Sequence, residues 1–493
     1  MKRGAAGQSR VVVKQKHGGL LRWSGRHAPG TAGEVPASPP MPTVFIECTQ
    51  TWRNDANTGI QRVVRNLLRS GGAPAAAHGC ALAPVAFDAG GFYRMELAAV
   101  LAPAAHEPSE PPSAHHARRA LAQRLWRGLL RVLLAVFPFA AAERFILAPP
   151  DQVGLAWCLI LPLRILRLRP WPQDDPARQA LVRLDAYADC RGSVLLLLDA
   201  SWSLPIWPAV ERFRRSGGRV VGVIHDLIPL THPHTCEPRL TRAFRSWLTA
   251  HLTLSDGFIC VSRATADALR RYALAHPGPR SAAVPPIAHF HLASELDLAG
   301  TGAPARPAIV ALFAAPEPTF LMVGTFEPRK RHAFVLDAFD LHWRQGGRAR
   351  LVLIGRQAWK TEAFLHRVAA HPEYGRRLFL IRDAGDTDLA HAYGHAAALI
   401  IASEIEGFGL PVVEAFQYGL PVLCSDIPVF REIAGDRAAY FSLTDPATLT
   451  ALLAGVGPGE SEGRRTPQPW ITWTESADQL FAAMADALRG KGG

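Results

Sequence analysis

An apolar run from Ala396 to Ala402 leads straight into Ser403-Glu404-Ile405-Glu406-Gly407-Phe408-Gly409-Leu410-Pro411, and this stretch restricts the fold of the chain more than any other. The run reads as a buried strand. Pro411 suits the first turn of a helix and Gly419 the position just past its end, so a short helix is predicted between them. A strand, a glycine turn and a helix in that order open a doubly wound α/β unit, whose ligands gather beyond the carboxyl ends of its strands. Gly407 and Gly409 let the backbone turn tightly and present its amides at a helix N-terminus, a site suited to an anion such as a diphosphate. Glu406 and Glu414 bring two carboxylates to the same crevice. Carboxylates oppose phosphate but accept strong hydrogen bonds from hydroxyls. A nucleotide sugar, with phosphates between two hydroxyl-rich ends, satisfies both demands.

The motif E-G-F-G-L-P-x-x-E-A, from Glu406 to Ala415, resembles the signature of the family 4 retaining glycosyltransferases. The resemblance implies the GT-B fold, an α/β architecture of two doubly wound Rossmann-like domains facing each other across a cleft. It implies transfer of a sugar, with retention, from a nucleotide sugar to a hydroxyl of a glycan or lipid-linked acceptor, as in surface polysaccharide synthesis. No metal or other cofactor is implied, because protein cations and helix amides stabilise the diphosphate. Glu414 is then expected to hold the donor ribose, and Glu406 the hydroxyls of the transferred sugar. Phe408, Gly409 and Leu410 would offer backbone amides. The family favours a front-face departure in which the leaving phosphate helps to deprotonate the acceptor.

Three other segments extend the resemblance. Thr58-Gly59-Ile60-Gln61-Arg62 is similar to the family's N-terminal glycine loop, which lies near the donor diphosphate; Gly59 stands where many members have two adjacent glycines. His225-Asp226-Leu227-Ile228-Pro229 resembles the H-D-x-x-P segment of mannosyltransferase-like members, which places His225 near the reacting sugar and favours mannose carried by GDP. Gly324-Thr325-Phe326-Glu327-Pro328-Arg329-Lys330 follows an apolar strand, and two adjacent cations facing the glutamate-glycine loop suit a diphosphate leaving group. Thr325 stands where the family often has Arg, so the phosphate role goes to Arg329 and Lys330, with Gly324 at the turn.

Competing motifs are weaker. Asp386-Thr387-Asp388 is literally a D-x-D metal motif, but it precedes a helical run and Asp386 reads as an N-cap. His232-x-His234 and His289-x-His291 lack further ligands at sensible spacing, so no metal site is expected.

The 493 residues suggest about three domains, and a 48% hydrophobic content is ample for large cores. Seven scattered cysteines, none spaced C-x-x-C, argue against a disulfide framework and for a reducing, cytoplasmic setting. The basic start lacks the apolar core of a secretory signal. The longest apolar run, Val153 to Leu163, is too short to span a bilayer.

The net charge of +12 is concentrated in two places. Residues 1–28 carry seven Lys/Arg and no acid, and residues 117–170 carry nine Arg against Glu143 and Asp151. Residues 1–40 read as a disordered basic tail, or as a contact for membrane or nucleic acid. Between Arg118 and Val136 the pattern is a basic amphipathic helix, which fits an anionic membrane face or a packing helix with a solvated arginine side. No aromatic-basic interleaving supports a nucleic-acid partner.

The expected organisation is a tail (1–40), an N-terminal Rossmann-like acceptor domain (41–300) with an elaborated region (104–190), a linker (301–317), a C-terminal donor domain (318–475) and a final helix (476–493) crossing back to the first domain. A catalytically silent donor-binding partner protein is the alternative; intact Glu406, Glu414, Arg329 and Lys330 count against it.

Overall fold

The computed structural model describes residues 41–53, 59–101, 183–184, 187–276, 284–294, 304–456 and 466–489, apart from 89 and 188, and two short strands upstream. Those strands, Val12–Lys14 and Leu20–Arg22, pair antiparallel inside the stretch expected to be disordered. The basic pattern Arg118–Val136 and nearly all of 104–190 lie outside the described residues.

Both large sheets belong to one compact unit, Ala32–Ala102 with Val182–Gly493. In the N-terminal lobe the strands are β1 (Thr43–Glu47), β2 (Ala81–Asp88), β3 (Gly91–Arg94), β4 (Val194–Leu197), β5 (Arg219–Ile224), β6 (Gly257–Cys260) and β7 (Ile287–His289). Their order across the sheet is β3-β2-β1-β4-β5-β6-β7, with only β2 and β3 antiparallel. In the C-terminal lobe β8 (Thr319–Val323), β9 (Arg350–Ile354), β10 (Leu378–Ile381), β11 (Leu399–Ile401), β12 (Val422–Ser425) and β13 (Ala438–Phe441) form a wholly parallel sheet. Its order is β10-β9-β8-β11-β12-β13. Helices cover both faces of such sheets, so the strands are near-continuous apolar runs, and Leu195, Leu196, Ile400 and Leu351 are completely buried.

The order reverses between β1 and β4 in the first lobe and between β8 and β11 in the second. Ligand crevices in open α/β sheets form at such switch points. Those four strand ends are where Glu47, Asp199, Gly324 and the Ser403–Gly409 loop sit.

Five helices matter below: α1 (Gly59–Ser70), α2 (Arg263–Ala275), α3 (Leu410–Gln417), α4 (Pro428–Ala434) and α5 (Trp473–Arg489). Helix α3 starts at Gly409, whose φ of +103° excludes most side chains, with Pro411 in its first turn. It stops at Gly419, where the Leu420 amide reaches back to the Ala415 carbonyl at 2.9 Å. Helix α5 packs on β6, β7 and α1 of the N-terminal lobe through Leu480, Phe481, Met484 and Ala487. A Cβ on Gly257 would lie 3.0 Å from that of Ala487, so this residue sets how closely helix and sheet approach.

Two local expectations change. The stretch read as a linker contains a helix, Pro307–Phe313, because Pro307 starts it and Ile309 and Phe313 bury an apolar face. Gly385, not Asp386, is the N-cap of the helix Asp386–His395. Asp388 reaches back to the Gly385 amide (3.2 Å) and grips Arg306 through its amide (2.9 Å) and Nε (2.7 Å). The second Asp of the D-x-D is thus committed to this anchoring.

Among the described residues no helix is long and apolar enough to cross a membrane. The six described cysteines are free thiols.

Glu47 ends β1 fully buried; one carboxyl oxygen accepts the Thr49 amide at 2.8 Å and the other has no partner. Burial first, and then neighbouring Asp199, push its pKa up to about 8. Asp199 keeps its place by accepting the amides of Thr51 (2.6 Å) and Ala200 (2.7 Å). A carboxyl that is neutral when folded and ionised when unfolded favours unfolding as pH rises through that interval, because the unfolded chain then binds fewer protons. Stability should therefore fall between pH 4.5 and about 8, by up to roughly 1.4 kcal/mol per pH unit from this group. Glu47→Gln should flatten that fall, and urea titrations of both proteins at pH 5, 6.5 and 8 would check it.

Candidate active site in the cleft between the lobes

The loop after β11 carries Glu406 into a ring of donors. Its Oε1 accepts the Ser403 hydroxyl at 2.7 Å and pairs with Lys330; its Oε2 lies 2.6 Å from Arg329 Nη1. Burial would raise the Glu406 pKa, but Arg329 and then Lys330 hold it down to about 2. Glu406 is therefore a carboxylate at any working pH. Arg329 also binds Glu327 Oε1 (2.6 Å) and the Ile405 carbonyl (3.1 Å), so its guanidinium is fixed from three sides. Arg331 adopts left-handed backbone (φ +54°) where the short turn Pro328–Lys330 gives way to the next helix. Gly324 has a φ of +147°, and a Cβ placed there would lie 3.6 Å from Lys330 Cε.

Past Glu406 the loop touches the other lobe. A Cβ on Gly407 would fall 1.8 Å from the His225 carbonyl oxygen, so only glycine fits. The Gly407 carbonyl accepts the hydroxyls of Ser262 (2.7 Å) and Thr265 (3.1 Å) at the start of α2. Gly59, the first residue of α1, faces Leu410, whose Cδ1 would be 3.8 Å from an added Cβ. Phe408 is buried. Among the described residues the amides of Phe408, Gly409 and Leu410, just before and at the start of α3, donate no hydrogen bond within the protein.

His225 follows β5. Its Nε2 lies 2.8 Å from the Leu198 carbonyl, which can only accept, so Nε2 carries the proton. Burial lowers its pKa and the ring is neutral, leaving Nδ1 as an acceptor. Next to it, burial raises the pKa of Asp226 while Arg329 opposes the rise.

Glu406, Arg329, Lys330, Gly324, Phe408, Gly409, Leu410, Gly59 and His225 thus line one junction. Glu414 is placed differently. It is 2% exposed, with Oε1 2.7 Å from Arg62 Nη1 and Oε2 accepting the Tyr393 hydroxyl at 2.6 Å. Both oxygens expected to meet a ribose are taken in this structure. Arg62, from α1 of the first lobe, thus bridges the lobes.

Sequence reading also passed over Glu47, Tyr393 and Glu432. A charged residue ending an apolar strand, as in Val44-Phe45-Ile46-Glu47, was a usable signal for the first. The other two act through partners distant in sequence and left none.

Residues 310–454 match the family model described as Glycosyl transferases group 1, and residues 158–280 match Glycosyltransferase Family 4. Over 282 residues, 55% of this chain, it is 34% identical to the serotype-specific mannosyltransferase WbdA of Escherichia coli. That match spans about a third of the relative's own length (34%). The O-antigen chain mannosyltransferase B of Escherichia coli is 34% identical over 140 residues, 28% of this chain and 35% of that one. The Anabaena protein HepE, solved with UDP and glucose, superposes with a TM-score of 0.47 at 11% identity, covering 91% of this chain and 97% of that one. The two matched regions together make up more than half of the 493 residues, and the chain belongs to the family 4 glycosyltransferases, with their GT-B fold.

Proposed function

We propose that this protein moves a sugar from a nucleotide sugar to a hydroxyl of a glycan or lipid-linked acceptor, with retention and without a metal at the diphosphate. Its place would be surface polysaccharide synthesis. Similarity to mannosyltransferases favours mannose, with GDP as the carrier. The observation that carries the proposal is the meeting of three things at one point: ionised Glu406, the Arg329–Lys330 cation pair, and the undonated amides of Phe408 to Leu410. Glu406 and Glu327 together balance the two cations. A diphosphate, more highly charged, would compete for them and for the amides at the start of α3.

In the reaction the bond from the anomeric carbon to phosphate oxygen breaks, and a bond to the acceptor oxygen forms on the same face. The acceptor's proton passes to the departing phosphate. Arg329 and Lys330 stabilise charge on the leaving group, while Glu406 faces the positive character that develops on the sugar. Neutral His225 offers Nδ1 to a sugar hydroxyl. Binding to the cytoplasmic membrane face belongs to the same proposal and rests on the basic segments 1–28 and 117–170.

Glu406→Gln keeps the shape of the side chain and removes its charge, so kcat should fall about 10²–10³-fold with little change in donor KM. Glu404, paired at 3.4 Å with His234 and 3.9 Å with Arg331, is the control. A mild Glu406→Gln and a damaging Glu404→Gln, measured with GDP-mannose and a panel of other donors, would sink the assignment; donor binding without product release by the wild type would favour the silent alternative.

Glu414→Ala is expected to raise donor KM, by loss of charged hydrogen bonds of about 1.5–3 kcal/mol. It also strips the partner from half-buried Arg62, so a loss of up to roughly 3 kcal/mol in stability is expected by chemical denaturation. Finally, transfer should survive EDTA; activity lost in EDTA and restored by manganese would contradict the roles given to Arg329 and Lys330.

A further inference from the structure

His289-x-His291 has a third partner that its own sequence neighbourhood does not contain. Glu432, on α4 of the C-terminal lobe, brings a carboxylate oxygen to the two imidazoles, and the three ligand atoms lie within 4.8 Å of one another. We propose that His289, His291 and Glu432 form a site for a borderline-soft divalent cation such as zinc, bridging the two lobes.

The two histidines are two residues apart at the end of β7 and just beyond it. Side chains at that spacing on an extended chain share a face. His291 Nε2 lies 2.8 Å from Glu432 Oε1. Ligand atoms around tetrahedral zinc sit about 3.3 Å apart, from bonds of roughly 2.0–2.1 Å. One separation is 2.8 Å and none exceeds 4.8 Å, so small side-chain rotations would bring the three ligand atoms to that spacing. On binding, the cation replaces the proton between His291 and Glu432, and the ring keeps its remaining proton on the other nitrogen.

The surroundings hold the ligands in place. Glu432 accepts the amides of Arg263 and Ala264 at the start of α2, each at 2.8 Å, which leaves Oε2 a free lone pair. The His291 backbone is pinned by Gln479 (3.1 Å) and by the Ser476 hydroxyl (2.6 Å), both from α5. Among the described residues the His289 side chain makes no hydrogen bond, and its ring centroid is 5.9 Å from that of His291. Of the two nearby arginines, Arg270 is tied to Asp267 at 2.9 Å and Arg263 is exposed to solvent. Two imidazoles and one carboxylate leave a fourth position for water, and this donor set selects zinc, nickel or copper over magnesium or calcium.

Glu432 belongs to one lobe and the histidines to the other, so an ion here restrains their separation. His291 also lies 6.0 Å, ring to ring, from Phe408 of the glutamate-glycine loop. The cation would therefore slow the cleft rather than take part in transfer.

The test is calorimetric titration of the full chain, stripped with EDTA, against zinc chloride and separately against magnesium chloride. One zinc per chain is expected and no magnesium. His289→Ala should weaken zinc binding at least about tenfold while leaving the metal-free melting temperature unchanged, since His289 holds nothing else. Glu432→Gln, which keeps an amide-accepting oxygen, should also weaken it. Donor transfer should slow in zinc for the wild type but not for His289→Ala. No saturable zinc binding, equal magnesium binding, or zinc binding indifferent to His289→Ala would each overturn the proposal.

Discussion

The meeting of the Gly407 backbone with the opposite lobe is the contact on which the cleft depends. A carbonyl from the donor-side loop receives two hydroxyls from the start of α2, and its α-carbon rests on the His225 carbonyl. A side chain there would collide with backbone, which cannot swing aside as a flexible side chain can. The lobes can therefore approach this closely only with glycine at 407. Because Glu406 is the residue before it, the same contact fixes the carboxylate relative to His225. Geometry at the reacting centre is set by main chain.

Around that contact the charges are balanced before any ligand arrives. Arg329 and Lys330 hold Glu406, Arg62 holds Glu414, and Glu327 holds Arg329 again. Unpaired, any of these buried groups would be costly. Pairing them with each other lets the protein keep strong cations in a water-poor cleft and release them to a more highly charged partner. The drawback is competition: a ligand must match what the carboxylates already supply. Glu414 shows this most clearly, since its two oxygens already serve Arg62 and Tyr393.

The strand-loop-helix units were legible because each is written locally. The apolar run before Ser403, the paired glycines and Pro411 lie within a few residues and fix one another's backbone. The Arg329–Lys330 loop was legible for the same reason. What could not be read depends on juxtaposition across the fold. Arg62 gives no sign of Glu414 in the sequence, yet α1 lies against the other lobe and the two form an ion pair. Glu432 gives no sign of His291 when 141 residues separate them. The helix Pro307–Phe313 was hidden by composition, as prolines and alanines around it suggested a linker while Ile309 and Phe313 supplied a buried face. The role of Asp388 could not be read because its partner, Arg306, lies 82 residues upstream.

The position of α5 has a consequence for how the protein is made. The helix is built from residues 473–489 yet closes the surface of a sheet whose first strand begins at Thr43. On the ribosome, β6 and β7 emerge long before the segment that covers them. Until Phe481 and its neighbours have been synthesised, the first lobe carries an uncovered apolar face. Domains usually complete themselves in order of synthesis, but here the second lobe can finish before the first. The nascent chain is thus exposed to aggregation at its first lobe, whose folding waits on translation of α5.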